Sequence, residues 1–124
     1  MSQLKVLAVD DDIINLKLLK SILLKIDNVT EVIEAKNGAD ALGILKSQND
    51  ISLILLDIIM PVMGGIEMLQ VVRADEDLKH LPVIVLTTDE TKRAEALDCG
   101  ANDFVMKPVR KEQVAEKINN LMNI

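Results

Sequence analysis

The chain has 124 residues, 14 Lys/Arg against 20 Asp/Glu, and a net charge of −6. Apolar residues make up 49%, enough for a sizeable core and far from the composition of a disordered chain. With one Phe, no Trp and no Tyr, there are no exposed aromatics on which bases could stack, and no basic cluster offers a nucleic-acid footprint. Cys99 is the single cysteine, so an intramolecular disulfide is excluded, and it reads as a small packing residue. No apolar run approaches the roughly 18 residues of a membrane helix, and Met1-Ser2-Gln3-Leu4-Lys5 lacks the apolar stretch of a signal peptide. The expectation is one cytoplasmic domain over residues 1–124 that binds neither membrane nor nucleic acid directly.

In chain order, Leu4 to Val9 is a nearly continuous apolar run, as in a strand covered on both faces. A helical pattern follows: Ile14, Leu18, Ile22 and Ile26 recur every four residues, with Leu16, Leu19 and Leu23 broadening the stripe. Asp12 stands where an N-cap belongs. Val29 to Glu34 is a shorter, mixed strand, and Ala41, Leu42 and Leu45 mark the second helix. Ser52 to Leu56 is the third strand, and Ile66, Leu69 and Val72 mark the third helix. Gly38 and Gly64 sit at loop-to-helix turns. Pro82 to Leu86 is the fourth strand, and Ala94 and Leu97 the weaker fourth helix, followed by Gly100 where a left-handed cap is expected. Asp103 to Met106 is the fifth strand; Val114, Ile118, Leu121 and Met122 mark the fifth helix. Five βα units in series predict an α/β fold: a doubly wound parallel sheet with helices on both faces and right-handed crossovers.

Ligands of such sheets bind beyond the carboxyl ends of the strands. Those ends carry Asp10, Asp11 and Asp12 after the first strand, Asp57 after the third, Thr87 and Thr88 after the fourth, and Lys107-Pro108 after the fifth. Each has an ordinary explanation as a cap, strand end or turn residue. Together they bring acids, a hydroxyl and a lysine to one sheet edge. Crowded carboxylates repel unless a cation joins them. All-oxygen ligands favour a hard ion such as Mg2+ that also takes phosphate oxygens. Lysine supplies a compact positive charge. A remaining carboxylate can serve as nucleophile, so the chemistry points to phosphoryl transfer onto an aspartate.

Val9-Asp10-Asp11-Asp12, Leu56-Asp57-Ile58-Ile59-Met60-Pro61-Val62-Met63-Gly64-Gly65, Val85-Leu86-Thr87-Thr88 and Lys107-Pro108 resemble the signature of bacterial response-regulator receiver domains of the CheY-like kind. The resemblance spans essentially the whole chain. It implies a flavodoxin-like sheet of order 2-1-3-4-5 with five helices. It implies Asp57 as phosphoacceptor, Asp11 as a direct Mg2+ ligand, Asp10 acting mainly through water, and Ile59 giving its backbone carbonyl. It implies that Thr87 bonds the phosphoryl group and moves inward, that Lys107 pairs with Asp57 or its phosphate, and that the Lys107–Pro108 bond is cis. Phe104 matches the aromatic switch position. The implied partners are a sensor histidine kinase or histidine phosphotransfer protein, and a target or output domain meeting the face of the fourth helix, fifth strand and fifth helix. A homodimer is compatible with it. Such a chain is a signalling switch, not a turnover enzyme. Gly64 departs from the Asp or Asn frequent there, and Ile59 and Asp89 sit where the family tunes phosphoryl lifetime. His80, the single histidine, reads as exposed.

Two other readings compete: a pseudo-receiver that signals by contact alone, and a small Mg2+-dependent phosphohydrolase. The complete residue set argues against the first, and short loops with no room for a substrate cap argue against the second.

Overall fold

The structure, a computed structural model, describes residues 3–60 and 63–123; Pro61 and Val62 of the loop motif lie outside the described residues. The chain alternates β1 (Leu4–Val9), α1 (Ile13–Leu24), β2 (Val29–Ala35), α2 (Gly38–Ser47), β3 (Leu53–Asp57), α3 (Gly65–Ala74), β4 (Val83–Thr87), a 3-10 turn (Glu90–Lys92), α4 (Arg93–Asp98), β5 (Asp103–Met106) and α5 (Lys111–Met122). The strands form one parallel sheet in the order β2-β1-β3-β4-β5, as expected from the resemblance. β3 and β4 are buried at every residue, because helices cover both faces of the sheet centre. One core layer lies between the sheet and α2, α3 and α4, built around Leu45, Leu56, Met68, Leu69, Val85 and Phe104. The other lies under α1 and α5, around Leu19, Leu23, Leu55, Leu86, Val114 and Ile118.

The strand boundaries shift in a way that matters. β3 and β4 run one residue past Leu56 and Leu86, so Asp57 and Thr87 are the last residues of their strands. Parallel ladder pairing of Asp57 with Leu86 and of Thr87 with Met106 holds their backbones.

Two helical stripes differ from expectation. In α1 the buried residues are Leu16, Leu19 and Leu23, whereas Ile14 and Leu18 are 76% and 57% exposed. The four-residue spacing of Ile14 and Leu18 follows the outer face, because Asp12 as N-cap sets the helix phase. In α4 Ala96 is buried, while Ala94 and Leu97 face outward. A six-residue helix with one buried alanine lies close to the sheet edge and covers little of it.

The caps follow from side-chain chemistry. Asp12 accepts hydrogen bonds from the Ile14 and Asn15 amides, and Asn37 accepts from the Asp40 amide. Gly64 has no side chain to cap α3, but the Gly65 amide donates instead to the Ile58 carbonyl at 2.8 Å. Gly100, at φ +109°, ends α4 in the left-handed region, as predicted. The Lys107–Pro108 bond is cis.

Arg73, near the end of α3, acts as a four-way tie. Its guanidinium donates to the Gly100, Lys79 and Leu81 carbonyls at 3.0, 3.0 and 2.7 Å and to Asn102 Oδ1 at 2.9 Å. Asn102 Oδ1 also accepts from the Val83 amide. The end of α3, the start of β4 and the α4–β5 turn are thereby joined through one side chain. Nothing in the local sequence around Arg73 signalled this.

Candidate functional site

The strand order reverses between β1 and β3, and the crevice of a doubly wound sheet opens there. Asp10 follows β1, and Asp57 closes β3 beside it. Asp10, Asp57 and Thr87 are the buried polar and charged side chains of the described residues; Asp11 is exposed at the rim. Asp10, Asp11 and Asp57 each present a carboxylate oxygen within 4.8 Å of the others. Lys107, brought in by the turn after β5, places Nζ 3.0 Å from Asp10 Oδ2 and 3.4 Å from Asp57 Oδ1. Its backbone amide is held by the Thr87 carbonyl at 2.9 Å. A cleft of about 340 Å3 adjoins the cluster, lined by Asp10, Leu18, Leu86, Thr88, Lys107 and Pro108 among others. A larger hollow of about 540 Å3, bordered by Leu45, Ile51 and Leu81, lies at the opposite end of the strands, away from the carboxylates.

Five of the residues singled out in the sequence, Asp10, Asp11, Asp57, Thr87 and Lys107, therefore stand at one end of the sheet. Thr88 is exposed beside them. Asp12 is spent on the α1 cap. Ile59 has an outward side chain, and His80 is exposed. Phe104 is buried on the α4 side of β5. Cys99 is half-buried against the core, and Gln70 Nε2 lies 3.7 Å from its sulfur. The Lys107–Asp57 pairing of the sequence reading is present at 3.4 Å, and the ammonium has a second, shorter contact, a hydrogen bond of 3.0 Å to Asp10, that the reading did not include. That preference rests on a sub-ångström difference in distance, which no sequence pattern encodes.

The electrostatics are unbalanced. Burial pushes the Asp57 carboxyl above its ordinary range; Lys107 opposes this, while Asp10 and Asp11 add to it. Burial would lower the Lys107 ammonium, but its hydrogen bond to Asp10 and the charges of Asp57 and Asp10 outweigh that and leave it raised. Three carboxylates share one cation, so the site has negative charge to spare. All-oxygen donors at this spacing fit a small hard divalent ion.

A stability prediction follows. A carboxyl raised in the folded state holds its proton more tightly there than in the unfolded chain. Stability is therefore lost as pH rises from the unfolded pKa through the raised folded value. At pH 7 in chelator, Asp57→Asn is expected to unfold at a higher temperature than the natural chain. The gain is read as an upward shift of the unfolding temperature. Below about pH 4 the gain should vanish, since Asp57 is then protonated in both states. Calorimetry at the two pH values decides; a destabilised Asp57→Asn at pH 7 would refute the account.

A sheet of this order with a carboxylate cluster at its switch point defines a doubly wound α/β fold with an acidic site beyond its strand ends. The sequence matches the response regulator receiver domain over residues 6–119, and the chain belongs to that family. It is similar to the chemotaxis protein CheY of Pseudomonas aeruginosa, with 40% identity over 121 residues and 95% of each chain covered. Among solved structures it resembles the chemotaxis response regulator CheY4 of Vibrio cholerae (30% identity, TM-score 0.86, 97% of this chain and 99% of that one). It also resembles the receiver domain of a Francisella response regulator (27% identity, TM-score 0.83, 98% of each). The chain is thus a CheY-like receiver of two-component signalling. Among the described residues, no helix is long and apolar enough to cross a membrane.

Proposed function

We propose that this receiver accepts a phosphoryl group on Asp57 in a Mg2+-dependent reaction, from a histidine kinase or histidine phosphotransfer protein. The observation that carries the reading is the cluster itself: Asp10, Asp11 and Asp57 within 4.8 Å, with Lys107 Nζ against two of them. An Asp57 carboxylate oxygen attacks phosphorus as the phosphorus–nitrogen bond of the donor phosphohistidine breaks. The electron pair stays on the departing imidazole nitrogen. Asp10, Asp11, Asp57 and the Ile59 carbonyl would hold the ion. When bound, it offsets the charge of the phosphoryl oxygens. Lys107 places a second positive charge beside Asp57 and keeps its proton through its contact with Asp10. Thr87, buried next to Asp57, offers its hydroxyl to a phosphoryl oxygen. Partner control then runs through the face of α4, β5 and α5.

Intact mass after incubation with acetyl phosphate tests this directly. The natural chain should gain one phosphoryl group (~80 Da) with Mg2+ and none in chelator. Asp57→Ala should gain none in either condition. No gain in the natural chain, with Mg2+ binding shown separately, would favour a receiver that works by contact alone.

Ile59 exposes an apolar side chain near the acceptor carboxylate and offers no hydrogen bond to an attacking water. Phosphoryl loss should therefore be slow. Ile59→Asn is expected to speed it on the order of a few-fold by orienting that water. Unchanged release kinetics would remove Ile59 from the account.

A further inference from the structure

The turn before α2 and the β3–α3 loop touch through one residue from each. Gly38 opens α2 and is buried, and its amide donates to the Met63 carbonyl at 3.3 Å. The Met63 side chain lies over the bare Cα of Gly38. A Cβ added there would stand 2.8 Å from Met63 Cγ, 2.9 Å from Sδ and 3.0 Å from Cβ. All three are closer than van der Waals contact. Rotation of the methionine relieves the first two. The third is fixed to the backbone, so the whole residue is seated on the glycine and not only the tip of its side chain. Gly38 lies outside the left-handed region, so the methionine, and not backbone freedom, calls for a glycine here. Met63 also packs on the core layer under α2 and α3.

The seat itself is firmly held. Asn37 Oδ1 accepts from the Asp40 amide at 2.8 Å, and Asp40 Oδ2 accepts from the Lys36 amide at 3.2 Å, which fixes the start of α2. Just upstream, the Asp10 amide donates to the Ala35 carbonyl at 3.1 Å and ties the turn before α2 to the end of β1. The loop resting on that seat is held at its far end, where the Gly65 amide meets the Ile58 carbonyl. Between these points, Ile59 and Met60 make no backbone hydrogen bond among the described residues. Met63 is thus the contact that sets the segment carrying the Ile59 carbonyl against the strand end that carries Asp10.

We propose that Met63 is a positioning residue for the divalent ion: seated on Gly38, it fixes the β3–α3 loop so that the Ile59 carbonyl is already in place in the metal-free chain. The inference rests on the Mg2+ reading above. A loop held in advance adds no ordering cost to binding, whereas a loop freed from its seat must be ordered at that moment, and affinity falls.

The test uses the full chain with 13C in its methionine methyl groups, the lines assigned by substitution. Met60 reports on the loop. In chelator, Gly38→Ala and Met63→Ala should each displace and broaden the Met60 line. Met63→Leu, similar in volume, should leave it in place. MgCl2 is then titrated into each protein and followed in the same spectra. Gly38→Ala and Met63→Ala should bind Mg2+ on the order of tenfold more weakly than the natural chain. Met63→Leu should stay within about twofold of it. The double variant Gly38→Ala/Met63→Ala should bind about as weakly as either single one, because a loop without its seat has little further to lose.

Unchanged Mg2+ affinity in both single variants, even with lowered melting temperatures, would make the contact merely structural and overturn the proposal. Losses that multiply in the double variant would overturn it too. Should Gly38→Ala not fold, Met63→Ala compared with Met63→Leu decides. A natural chain that binds no Mg2+ counts against the metal reading instead, and the Met60 line in chelator then decides whether Met63 places the loop.

Discussion

Gly65→Ala is expected to lose about 3 kcal/mol of stability or more and to lower the unfolding temperature by roughly 10 °C. A Cβ at position 65 would overlap the Asp57 carbonyl oxygen and lie 2.7 Å from Ile58 Cα. Both are backbone atoms that cannot rotate away. The first turn of α3 would have to withdraw from the end of β3, stretching the Gly65 amide bond to the Ile58 carbonyl. The crowded carbonyl belongs to Asp57, so on the function proposed above phosphoryl uptake should fall along with stability. Gly64→Ala is the internal control. Its Cβ would meet the Ile58 oxygen at 3.4 Å, an ordinary contact, and its φ of −72° suits any residue. It should change stability by no more than about 0.5 kcal/mol. Urea unfolding of the pair separates close approach from a general intolerance of the loop; equal losses would refute the steric account.

Arg73→Ala is the second large effect, at about 2–4 kcal/mol. It removes four hydrogen bonds from a charged donor and leaves the Gly100, Lys79 and Leu81 carbonyls to find other partners in half-buried surroundings. Arg73→Lys should recover only a minor part, because one ammonium cannot replace a planar fork aimed at four acceptors. Hydrogen exchange should locate the loss at the α4–β5 turn and the start of β4, where the Val83 amide depends on Asn102. A variant within about 0.5 kcal/mol of the natural chain, with unchanged exchange there, would show that water substitutes fully for the guanidinium.

Much of this molecule was legible in its sequence. Continuous apolar runs at Leu4–Val9 and in β3 and β4 mark strands covered on both faces, because only a sheet between two helical layers buries consecutive side chains. Alternation with helical patterns then dictates parallel strands, and parallel strands collect their carboxyl ends on one edge. The order of strands and polar residues along the chain therefore already puts Asp10, Asp11, Asp57, Thr87 and Lys107 together. Their chemistry and order along the chain suffice to mark the family.

What the tertiary structure decided is of another kind. The buried face of α1 depends on a phase set by the Asp12 cap, so the regular Ile14–Leu18 spacing turned out to lie on the solvent side. Lys107 sits closer to Asp10 than to Asp57 because of sub-ångström differences at neighbouring strand ends. Gly65 is required by backbone from β3, and Arg73 by carbonyls up to 29 positions away. Periodicity and residue type report what a segment does with its own neighbours and with water. Contacts between distant segments exist only once the layers have closed, and their distances select partners that local sequence cannot name.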